Sequence, residues 1–87
     1  MIVTDSGGLS YVFSELGDRV DRQGVALSPG EKKGWEIVLP VDDDYLLGVG
    51  WGGGWAWVWS EMWGTSLDFD GEDAIVEAVD FLRKAKR

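Results

Sequence analysis

Cysteine and histidine are both absent from this 87-residue chain. Without cysteine, no disulfide or thiolate site can supplement the core. Without histidine there is no Ser-His-Asp triad, His-ligated metal, imidazole proton shuttle or His-based pH switch. No apolar run approaches the roughly 18–20 residues that a membrane helix needs. The opening residues MIVTDSGGLS carry no basic n-region ahead of an apolar h-region, so no signal peptide is expected. A cytoplasmic, non-enzymatic protein with no cofactor and no membrane partner is the resulting expectation.

Positive charge is scarce too, with a formal net charge of −8. From Asp42 to Asp80 there are ten acids (Asp42, Asp43, Asp44, Glu61, Asp68, Asp70, Glu72, Asp73, Glu77 and Asp80) and no base. Arg83, Lys84, Lys86 and Arg87 then crowd the last five residues. Such a field disfavours direct binding of nucleic acid and favours a protein with a basic surface. Solubility for a tryptophan-rich chain is the plainer use of the same charge.

What the chain does have is tryptophan. Five of its six fall in WGGGWAWVWSEMW, residues 51–63. A single domain over 1–87 is expected, burying roughly 60–65% of its unfolded surface, with large aromatics compensating for a modest core. The pattern predicts an α+β fold: a small antiparallel sheet of 3–4 strands, with a central Trp-rich hairpin over 45–63, packed on a C-terminal helix over 71–86 and an N-terminal helix over 10–23.

In SYVFSELGDRVDRQG, Phe13, Leu16 and Val20 recur at helical spacing. Glu15–Arg19 and Asp18–Arg22 are i,i+4 pairs, with Gly24 at the stop. The stretch LSYVFSEL can also be read as a strand. LSPGEKKG reads as a Pro-Gly turn, WEIVLPV as a strand whose end Pro40 places at an edge or a bulge, and DDD as a turn. YLLGVGW and WAWVWSEMW are the hairpin arms, and SLDFD is a short further strand. In DGEDAIVEAVDFLRKAKR, Asp70 is the expected N-cap, Ile75, Val79 and Leu82 form the apolar stripe, and the closing cations sit at the negative end of the dipole.

Two registers of the hairpin remain open, because a one-residue slip moves every side chain to the other face. A Gly52-Gly53 turn sets Gly50, Gly48 and Leu46 opposite Trp55, Trp57 and Trp59. The tryptophans then form a row across glycines, away from a core face carrying Tyr45, Leu47, Val49, Trp51, Ala56 and Val58. A three-glycine loop instead gathers Tyr45, Leu47, Val49, Trp51, Trp55, Trp57 and Trp59 on one face, which must be the core.

Hidden chemistry is sparse. SLDFDGEDAIVE partly matches a calcium loop, with Asp68, Asp70, Gly71 and Glu77 in the third, fifth, sixth and twelfth places. Ser66 replaces the first acid, and a strand followed by an acidic helix start accounts for the string as well. Asp42–Asp44 fit a solvated turn better than a cation site. Ser10, Ser28 and Ser60 lack a base to activate them, and the glycines match no phosphate-binding motif.

In size and charge the chain is similar to small inhibitor proteins, such as bacterial immunity proteins and phage-encoded antagonists of host nucleases. That resemblance is one of composition, rests on no motif and transfers no residues. The expected function is a non-enzymatic inhibitor that holds a basic protein, possible targets including nucleic-acid enzymes, through Trp55, Trp57 and Trp59 ringed by Asp42, Asp43, Asp44, Glu61, Asp68 and Asp70. The alternatives are a homodimer or larger assembly packed through the tryptophan face, and a module for small ligands or carbohydrate.

Overall fold

A computed structural model describes residues 8–30 and 34–85. The order is α1 (Leu9–Leu16), two short 3-10 turns (Gly17–Arg19 and Arg22–Gly24), β1 (Ala26–Pro29), β2 (Trp35–Val41), β3 (Tyr45–Gly50), β4 (Trp55–Ser60), β5 (Thr65–Asp70) and α2 (Ala74–Lys84). The α+β class holds. The sheet has five strands, not three or four, and is an antiparallel meander in the order β1-β2-β3-β4-β5. The extra strand is β1, a short exposed edge whose ALSP carries no apolar alternation to announce it.

The N-terminal helix is shorter than 10–23. It ends at Leu16 because Gly17 turns to φ +55, and the chain continues in 3-10 turns rather than in α-helix. The predicted i,i+4 pairs give way to longer-range partners: Glu15 accepts from Arg83 at 2.9 Å, Arg19 pairs with Asp42, and Arg22 lies 4.4 Å above the Phe13 ring. At the other end, Asp70 belongs to β5, and the N-cap position of α2 is Asp73, without a side-chain capping bond. The GEKKG part of the expected turn, the first seven residues, and Lys86 with Arg87 fall partly or wholly outside the described residues.

Asp42 and Asp43 make the β2–β3 turn in the left-handed region, with φ of 58° and 66°. Aspartate tolerates that region better than most side chains.

Both helices pack on one face of the sheet. Leu9, Val12 and Leu16 of α1 and Ala74, Ile75, Ala78, Val79 and Leu82 of α2 meet Ile37, Leu39, Val41, Leu47, Val49, Ala56 and Val58. This core is aliphatic. None of the six tryptophans is among its buried residues, contrary to the expectation that large aromatics would fill it. Trp51, assigned to the core face by the two-residue-turn register, is 41% exposed in the hairpin loop. Trp63 packs between Tyr45 (centroids 5.8 Å apart, tilted by 55°) and Phe81 (5.6 Å, edge-on at 68°).

Candidate functional site

The pairing of β3 with β4 decides between the two registers. Leu46 lies opposite Trp59, Gly48 opposite Trp57, and Val49 opposite Ala56. That is the register of a Gly52-Gly53 turn, although the connection itself spans four residues. The Gly53 N–H donates to the Gly50 carbonyl at 2.9 Å, and Gly52, Gly53 and Gly54 all have positive φ. The three-glycine register, with every large residue in the core, does not occur.

Trp55, Trp57 and Trp59 therefore stand on the face opposite the helices, each partly exposed. The indoles of Trp55 and Trp57 lie across β3 rather than projecting from it. A Cβ at Gly48 would overlap the Trp57 ring at Cε2 and Nε1, and one at Gly50 would overlap Trp55. Trp55 reaches further still, since a Cβ on Gly30 would sit 2.9 Å from its Cη2. Glycine at 48 and 50 makes room for flat aromatic cover, as in aromatic rescue of strand glycines.

Glu36 is the residue this reading of the sequence missed. On β2 it is the register partner of Gly50, on the same face as the tryptophans, and only 7% exposed. Its Oε1 accepts a hydrogen bond from Trp57 Nε1 at 2.9 Å, which satisfies two polar groups under an apolar roof. Strand alternation carried the signal: in WEIVLPV, if Trp35, Ile37 and Leu39 share a face, Glu36 must take the other.

Around Trp57 and Trp59 the face sinks into a cleft of about 280 Å³ lined by Glu36, Leu46, Trp57, Trp59, Ser66 and Asp68. Asp68 is the register partner of Trp57 across β5, and Asp70 that of Trp55. A second hollow at the end of the strands adds Asp43, Asp44 and Glu61 beside Trp59. Eight of the nine residues singled out from the sequence thus belong to one face or its rim. Asp42 does not join them. Its Oδ2 accepts from Arg19 Nε at 2.8 Å and from Arg19 Nη2, which in turn donates to the Leu82 carbonyl at 2.9 Å. That ties Asp42 to the helical layer.

The four cations among the described residues, Arg19, Arg22, Arg83 and Lys84, all belong to helical segments or the turns beside them. The calcium-like spacing is broken by the fold: Asp68 and Asp70 lie on β5 and Glu77 on α2. Among the described residues no group of three or more acids is placed to hold a metal. No described helix is long and apolar enough to cross a membrane. Met62 and Trp63 in the β4–β5 turn are also exposed apolar residues, as is Leu67 on β5, which pairs with Val58.

Compared with known protein families, with curated proteins and with solved structures, the chain matches none of them.

Proposed function

We propose that this protein is a non-enzymatic, cytoplasmic inhibitor that holds a basic protein against the open face of its sheet. The observation that carries the reading is the face itself: half-exposed indoles laid flat on glycine, with carboxylates of Glu36 and Asp68 beside them and no described cation among them. Flat, rigid aromatic surface is what interface hot spots use, and acidic surroundings speed encounter with a basic partner.

Size sets how the contact must be made. Five strands about 4.8 Å apart and six residues of about 3.3 Å each span roughly 20 by 20 Å. In projection that is roughly half of the ~800 Å² a standard partner covers, so the rim has to contribute. Asp43, Asp44 and Glu61 occupy that rim next to Trp59.

The test is calorimetric binding against a panel of basic proteins, nucleases included, with inhibition measured for any that bind. Trp57→Ala and Asp68→Lys should each weaken binding at least about tenfold, a loss within the range of a single hot spot. No binding across the panel, or binding indifferent to both substitutions, rejects the proposal. Light scattering on the protein alone covers the competing reading. A dimer dissociated by Trp57→Ala would move the function to self-association through the tryptophan face.

A further inference from the structure

We propose that the cleft between Trp57 and Trp59 receives one arginine side chain of the partner, an inference that rests on the protein-binding reading of this face. The Trp57 indole covers Gly48, where a Cβ would overlap its ring, and it also lines the cleft. A guanidinium is planar, weakly hydrated and able to stack on such a ring while its N–H groups point outward in its own plane. Carboxylates stand on both sides to meet them, Asp68 from β5 and Glu36 from β2.

Glu36 keeps capacity for this contact. One oxygen accepts the Trp57 N–H, while a carboxylate offers about four acceptor sites in all. Being 7% exposed, it has little water around it, so a charge-assisted hydrogen bond there is poorly screened. Leu46 and Trp59 supply apolar walls for the aliphatic stem. At about 280 Å³ the cleft falls just short of the ~300–1,000 Å³ typical of small-molecule sites, which suits one side chain better than a whole ligand. A lysine ammonium is a compact point charge and would use the ring face but not the two-sided carboxylate arrangement.

The experiment is titration of the full chain with N-acetyl-arginine amide, followed in ¹H–¹⁵N spectra. The Trp57 indole N–H and the Asp68 amide should shift saturably. The lysine analogue should bind several-fold more weakly, and the neutral citrulline analogue should give no saturable shift. Asp68→Asn, at an exposed position where folding is not at stake, should lower arginine affinity about tenfold. Saturable citrulline binding, lysine binding as tight as arginine, or indifference to Asp68→Asn overturns the inference. If arginine amide fails while a basic protein still binds in a Trp57-dependent way, only this inference falls. If both fail, the reading beneath it falls as well.

Discussion

On the helical side of the sheet, Leu39, Leu47 and Val58 are sealed from solvent beneath α1 and α2. On the opposite side, Trp55 and Trp57 cover β3 by lying across Gly50 and Gly48. The same strand serves both: along β4, Ala56, Val58 and Ser60 are buried while the three intervening tryptophans are only half so. Residue size and burial run in opposite directions here. Medium aliphatic groups fill a space closed by a second layer, whereas the largest side chains act as the layer, one ring thick. A roof of that kind keeps water from the backbone and still offers a rigid aromatic surface to a partner.

Breaking the sealed side should have the larger effect. Leu47→Ala removes a fully buried side chain and leaves a cavity, so denaturant titration is expected to show a loss of about 2–5 kcal/mol. A loss below 1 kcal/mol would mean that the helical layer is less tightly closed than it looks.

The open side should respond to an added methyl. Gly48→Ala forces the Trp57 ring off the strand and should destabilise by about 1–3 kcal/mol. The comparison sharpens in the Trp57→Ala background, where the space is vacant and Gly48→Ala should cost far less. A double-mutant cycle is expected to give coupling of at least about 1 kcal/mol. Strict additivity would show that ring and glycine do not depend on each other.

Much of this was legible from alternation and turn chemistry. WEIVLPV became β2 residue for residue, and the stripe of Ile75, Val79 and Leu82 became the buried face of α2. The two hairpin registers were also both readable. What could not be read was the choice between them, since it depends on which glycine begins the turn. The Gly53-to-Gly50 bond that fixes it leaves no mark in a run of three glycines. The edge strand β1 was invisible for a different reason: an exposed four-residue strand has no apolar face to display. A lone glutamate in a strand reads as solvent-facing, and what buries Glu36 is the Trp57 indole, 21 residues away, on the face that alternation implies. Asp42 was grouped with its neighbours by sequence alone, and the Arg19 that claims it lies 23 residues away.

That Arg19 contact also bears on the order in which the chain assembles. The paired strands β2 to β5 are joined by connections of three or four residues, whose ends meet at little entropic cost. The Arg19 guanidinium instead joins positions 23 and 63 residues away, one in a hairpin turn and one on the last helix. Distant contacts are reached slowly because their loops must close before they are rewarded. Pulse-labelled hydrogen exchange during refolding is therefore expected to protect the β3 and β4 amides before the amide of Asp42, which bonds to the Arg19 carbonyl. Simultaneous protection would refute that order. If it holds, the tryptophan surface takes shape on a sheet whose β2–β3 turn has yet to be tied to the helical layer.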